Sequence, residues 1–262
     1  TVELEGGRWY RIDLPPEPDG APAILALHGG GGNPDQFARN SGLSAPANAR
    51  GYAVIYPAGS GRTRLLTWNA GYCCAFAQAS GVDDMAFLDT VLADAADRFG
   101  LDAKRVYVTG MSNGSMMAER YAAGRAGQIK AVAGVAGTKD PSFPVTGSVP
   151  YLHVHGTADR MVPFTGGKGE KSFVQVPFAS VAEDAAAFRQ GWRGPLTEVH
   201  GQGAAPDGTK VVLRDWRLPD GRPAVRVVAL EGLDHAWPGG RAGRVPGPDV
   251  NAMILDFFDA NP

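Results

Sequence analysis

The residues most able to do chemistry in this 262-residue chain are a serine set between glycines, five histidines and two adjacent cysteines. Gly110-Met111-Ser112-Asn113-Gly114 fits G-x-S-x-G, directly after the apolar run Val106-Tyr107-Val108-Thr109 and ahead of a helical stretch. A strand that turns sharply into a helix lifts a serine hydroxyl clear at the carboxyl edge of a sheet, and flanking glycines keep Cβ atoms out of the bend. The helix N-terminus favours negative charge developing near Oγ. This setting predicts a nucleophile at Ser112; a plain Gly-Ser turn closing a strand is the bland alternative. Such a nucleophile needs amide donors for an oxyanion. One is the amide of Asn113, and the other lies in His28-Gly29-Gly30-Gly31-Gly32, a glycine run straight after a short apolar strand.

The base is one of His28, His153, His155, His200 and His235. With a serine of this type the chain order runs Ser, then Asp or Glu, then His, which removes His28. His153 and His155 alternate on an apolar strand and belong to the sheet. As a His-x-His pair they also raise a metal site, but no third ligand is evident. His200 sits in a polar stretch. His235 lies in the late loop Gly232-Leu233-Asp234-His235-Ala236-Trp237 between a strand and a helix, where the base belongs. The orienting carboxylate is expected after the strand Tyr151-Leu152-His153-Val154-His155, which points to Asp159; Asp140 and Asp184 are the alternatives. Asp234 reads as a turn carboxylate.

These side chains need elements to hold them. Strands are predicted over 9–14, 23–27, 52–56, 106–109, 129–135 and 151–155, alternating with helices over 82–99 and 113–123, an α/β pattern with a mostly parallel sheet and helices on both faces. Asp83 and Asp84 sit in the first turn of the 82–99 helix and Gly100 just past its end. Ser180 and Glu183 frame a capping box for a helix to about Gln190. Runs 210–216 and 224–230 flank Pro219-Asp220-Gly221 and read as an antiparallel pair, and 249–258 closes the chain as a helix. Residues 57–81 form a long Gly- and aromatic-rich connection. One catalytic domain over 1–262 is expected.

Composition excludes several classes. Lys plus Arg number 25 against 27 Asp plus Glu, a net charge of −2 that offers no footprint for nucleic acid or an anionic membrane. No apolar run approaches the ~20 residues of a membrane helix, so a soluble protein is expected. The only cysteines, Cys73 and Cys74, are adjacent, which leaves no CxxC-type zinc or redox motif. Thr1 is followed at once by strand-like sequence, so any export signal is expected to have been removed or never to have existed.

Taken together the motifs resemble the LpqC-like esterase family, the poly(3-hydroxybutyrate) depolymerases and the carbohydrate esterase family one feruloyl esterases, of the α/β-hydrolase superfamily. The resemblance covers most of 20–240. It rests on Leu27–Asn33, Trp68-Asn69-Ala70-Gly71-Tyr72-Cys73-Cys74, Val82-Asp83-Asp84-Met85-Ala86-Phe87, Arg105–Gly114, His155-Gly156-Thr157-Ala158-Asp159 and Asp234-His235-Ala236-Trp237-Pro238. It implies a secreted carboxylic ester hydrolase with Ser112, Asp159 and His235 as triad and the amides of Gly30 and Asn113 as oxyanion hole. Feruloyl or acetyl esters of plant polysaccharide are the expected substrates, with polyester depolymerisation and a silent carbohydrate-binding homologue as alternatives. The chemistry requires no cofactor. Trp68, Tyr72 and Trp237 are expected to line the cleft and stack on an acyl group or sugar ring, with loop packing the alternative for Trp68. Because the family is exported, a Cys73–Cys74 vicinal disulfide is expected over two buried thiols. Ser115 and Ala75 stand where relatives often carry Gly, and both are expected to bear on cleft shape.

Overall fold

The computed structural model describes residues 1–240 and 244–262. Its strands are β1 (Val2–Glu3), β2 (Trp9–Asp13), β3 (Ala23–Leu27), β4 (Ala53–Pro57), β5 (Val106–Met111), β6 (Ile129–Val135), β7 (Tyr151–Gly156), β8 (Thr197–Ala204), β9 (Lys210–Arg217) and β10 (Pro223–Leu230). They form one sheet in the order β1-β2-β4-β3-β5-β6-β7-β10-β9-β8. The six central strands from β4 to β10 run parallel, and the two strands beyond each end are antiparallel. The predicted pairing around Pro219-Asp220-Gly221 is the β9/β10 hairpin.

Buried on both faces, the parallel strands read as largely apolar runs, and their alternation sorts side chains into two cores. Ala23, Leu25 and Leu27 of β3 join one core, with Leu88 and Val91 of α4 (Asp84–Phe99) and Met116 of α5 (Asn113–Gly124). Phe188 of α6 (Val181–Gln190) joins them. Ile24 and Ala26 face the other core, with Phe37 of α1 (Pro34–Ser41), Ala47 of α2 (Ser44–Ala49) and Ile254 of α7 (Val250–Asp259). Helices therefore cover both faces, as expected.

Local signals set the helix ends. Asp83 Oδ1 accepts from Ala86 N at 3.0 Å and Gly100 closes α4 at φ 68°, where a side chain would be strained. Asp84 corrects the reading of a simple dipole charge: it is buried, pairs with Arg8 at 2.8 Å and accepts from Asn69 N at 2.7 Å. Ser180 and Glu183 make the capping box of α6. Helices α1, α2 and α3 (Ala75–Ala79), with β1 and β8, were not anticipated. For α1 the signal was present: Asn33 caps and Pro34 starts it.

Candidate active site

The loops after β3, β5, β7 and β10 leave the carboxyl ends of near-neighbouring parallel strands, so four remote segments meet at one edge of the sheet. Ser112 stands between β5 and α5 with φ 56° and ψ −123°, the one residue of the G-x-S-x-G turn in the left-handed region. The two glycines serve close approach rather than positive φ. A Cβ on Gly110 would strike Gly114 O, and a Cβ on Gly114 would strike the carbonyls of Leu27 and His28. This is how the helix after the serine comes to lie against the His28–Gly32 loop.

Asp159 follows β7 and is buried. Its Oδ1 accepts from the amides of Met161 at 2.8 Å and Val162 at 2.9 Å, and its Oδ2 lies 2.7 Å from His235 Nδ1. Burial alone would raise this carboxyl, but hydrogen bonds from His155 and His235 outweigh it and hold the group far below the usual carboxylate range. Asp234 does more than shape a turn. Its Oδ1 accepts from Arg160 N and His235 N, and Oδ2 pairs with the Arg160 guanidinium at 2.7 Å, which ties the two loops together.

Ser112 and His235 face one cavity of about 650 Å³, shared with the His28–Gly32 loop. Gly31 N–H and Gly32 N–H bond Leu66 O and Gly29 O, whereas the amides of Gly30 and Asn113 meet no protein acceptor among the described residues. A Cβ on Gly30 would lie 3.5 Å from Asn113 Cβ, so the two amide-bearing segments adjoin. Among the described lining residues there is no Asp, Glu, Lys or Arg, and Phe76, Met161 and Phe178 make the wall apolar. Leu65 and Phe173 reach into solvent at its edge, 66% and 95% exposed.

The aromatic expectations need correction. Trp68 is fully buried and does not line the cavity; its Nε1–H donates to His28 O at 2.9 Å. Its backbone is gripped by the Asn113 side chain, which accepts from Trp68 N at 2.7 Å and donates to Trp68 O at 3.0 Å. Tyr72 also turns away: its hydroxyl donates to Thr138 O and its ring meets Phe178 edge-on. Trp237 does line the cavity, although only 4% exposed, because its ring packs edge-on to Phe37 while Nε1–H donates to Asn251 Oδ1 at 3.0 Å.

Cys73 and Cys74 both line the cavity with their sulfurs in contact, and Ala75 beside them lines it at φ 48°. Ser115 does not reach the cavity; it is buried and donates to Gly137 O at 2.7 Å. His200 is exposed beside Glu198 on β8, away from the site. The third ligand that the sequence lacked for His153 is supplied by folding, since Glu119 and Asp184 lie with it, their polar atoms within 4.8 Å of one another. Both ring nitrogens of His153 are already hydrogen-bonded, so no lone pair is left for a cation.

Residues 9–139 match the family model for esterase PHB depolymerase. The chain is 32% identical over 250 residues to "Putative esterase NocK" of Nocardia uniformis subsp. tsuyamanensis, covering 89% of this chain and 71% of that protein. It is 30% identical over 185 residues to a probable feruloyl esterase C of Aspergillus clavatus, covering 64% of this chain and 61% of the other. The solved acetyl xylan esterase from Aspergillus awamori shares the fold, with a TM-score of 0.61 at 16% identity over 96% of this chain and 93% of that one.

Proposed function

The chain belongs to the esterase PHB depolymerase family and is a carboxylic ester hydrolase, and from that premise we propose that Ser112, His235 and Asp159 are its nucleophile, base and orienting acid. The observation that carries this is the 2.7 Å contact of Asp159 Oδ2 with His235 Nδ1, on a ring that faces the same cavity as Ser112. With Nδ1–H given to the carboxylate, Nε2 keeps the lone pair and takes the Ser112 Oγ proton as Oγ attacks the ester carbonyl. The oxyanion accepts from the Gly30 and Asn113 amides. The imidazolium then protonates the leaving alkoxide as its C–O bond breaks, and water repeats the sequence on the acyl-enzyme. Asp159 stays ionised throughout, since its surroundings favour the charged form.

An uncharged, apolar-walled cavity fits a neutral acyl group such as feruloyl or acetyl, the acyl types named for relatives in this family. Trp237 supplies one wall of it. A second reading, polyester depolymerisation, is favoured by one observation: Phe173 and Leu65 stand exposed at the cavity edge, where an apolar polymer surface would meet them. Initial rates on methyl ferulate, p-nitrophenyl acetate, acetylated xylan and a hydroxybutyrate oligomer, with turbidity clearing of polymer granules, separate the two. Export belongs to the same reading, with Cys73–Cys74 oxidised; a titration finding two thiols in the native protein would overturn that part. Ser112→Ala is expected to lose on the order of 10⁴–10⁶ in turnover and all labelling by a fluorophosphonate, with the fold retained. Full activity in that variant ends the proposal.

A further inference from the structure

Behind Asp159 runs a chain of buried groups that the hydrolytic steps do not use: Glu119 on α5, His153 and His155 on β7, and the Val162 carbonyl. One fixed end settles where its protons lie. A carbonyl only accepts, so His155 Nε2, 2.8 Å from Val162 O, carries a proton. In the neutral ring Nδ1 is then a lone pair, and the 2.9 Å bond between the two imidazoles must be donated by His153 Nε2. His153 Nδ1 is thereby an acceptor as well. Its 2.9 Å contact with Glu119 Oε1 therefore requires the proton to sit on the carboxyl. Burial pushes Glu119 up to about 7 and His153 down to about 4, the directions this pattern demands. Other polar groups facing the chain are Asp184 from α6, raised by burial and by Glu119, with the Tyr151 hydroxyl, Lys139 and Ser115.

We propose that His155 is a positioning residue for the hydrolytic site, its tautomer locked while Glu119 is protonated so that Nε2–H faces the Asp159 turn. The same nitrogen lies 3.2 Å from Asp159 Oδ2, the oxygen that His235 Nδ1 contacts. The ring thus clamps the 159–162 turn through Val162 O while the Val162 amide feeds Asp159 Oδ1. It also sets partial positive charge beside Oδ2, which weakens the pull of the carboxylate on a protonated His235. Among the described residues, Asp159 and the Asp234–Arg160 pair flank His235 with charge. The inference rests on the roles given above to Ser112, Asp159 and His235.

Two variants of the full chain test it. His155→Leu removes the N–H, whereas the amide of His155→Gln returns one near the place of Nε2. In His155→Leu the acid limb of kcat/KM against pH is expected to move up by roughly half a unit, and kcat to fall about tenfold or more as the turn loosens. His155→Gln is expected to keep the wild-type limb. A folded Leu variant with an unmoved limb, or a Gln variant shifted as far as Leu, overturns the proposal. If the Leu variant does not fold, imidazole ¹⁵N spectra of the wild type at about pH 5.5 decide. Both rings are expected as neutral Nε2–H tautomers beside a protonated Glu119, and an Nδ1–H tautomer or an imidazolium on either overturns it. A fully active Ser112→Ala would instead remove the hydrolytic site itself, a failure that leaves those spectra unchanged.

Discussion

His28 shows how a single residue can look catalytic and serve structure. It is 1% exposed, donates Nδ1–H to Gly29 O at 2.8 Å and accepts from Gly59 N at Nε2 at 3.0 Å, so only one neutral tautomer fits. Burial lowers it to about 4, and His153 falls to about 4 for the same cause. An unfolded imidazole titrates near ~6.5, so between these values the unfolded chain binds more protons. The stability these rings confer is complete above the unfolded value and drains as pH falls through the folded one, by roughly 3 kcal/mol for each. Glu119 has the opposite sign: raised to about 7, it stabilises fully at acid pH and loses this as pH rises through its folded value. Denaturant titrations should therefore show the stability of Glu119→Gln climbing more steeply than that of wild type between roughly pH 4.5 and 7. Parallel curves would contradict the assignment of a protonated Glu119. The order rule sets His28 aside as base from sequence; its hold on the glycine loop, through Gly29 O and Gly59 N, needed coordinates.

At the scale of elements, the serine turn was legible because a strand, a helix start and two glycines stand within nine residues of sequence, 106–114. That the glycines keep Cβ atoms out of the bend was legible too; the second role of Gly114 was not. Gly114 is where α5 touches β3, against the carbonyls of Leu27 and His28. Gly114→Ala should force that helix off the sheet and cost at least about 2 kcal/mol, read as a lower midpoint in denaturant with loss of turnover; an unchanged midpoint would refute the close-packing argument. Helix α4 was readable for its length and period, with its N-terminus two residues later than predicted. Helices α2 and α3, of 6 and 5 residues, carry too few turns for a period to emerge. Strand β8 is polar along its exposed length and looks like loop, held by its pairing with β9. Trp68 failed as a substrate contact for a related reason. An aromatic in a glycine-rich loop suits a wall or an anchor equally, and the Asn113 amide, unnoticed in sequence, makes it an anchor.

Across the whole molecule, the sheet extends beyond β10, whose following loop carries His235, through β9 and β8, and stability there separates from chemistry. Asp215 on β9 is fully buried, and its carboxylate pairs with Arg217 at 2.9 Å and Arg226 at 2.7 Å. Asp215→Ala leaves two partly covered guanidiniums without their partner and should lower stability by about 2–3 kcal/mol. Because Asp215, Arg217 and Arg226 do not line the cavity, kcat/KM should stay at the wild-type value. A fall in both would show that this end of the sheet communicates with the site. From sequence alone came the alternation of strands and helices, the nucleophile turn and the identity of Asp159 and His235 as candidates, because those signals are local or follow from chain order. Tertiary structure alone decided strand order, which tryptophan meets the cavity, and the buried Glu119–His153–His155 chain. Contacts between residues 34 or more apart depend on how strands stack, and local periodicity does not encode that.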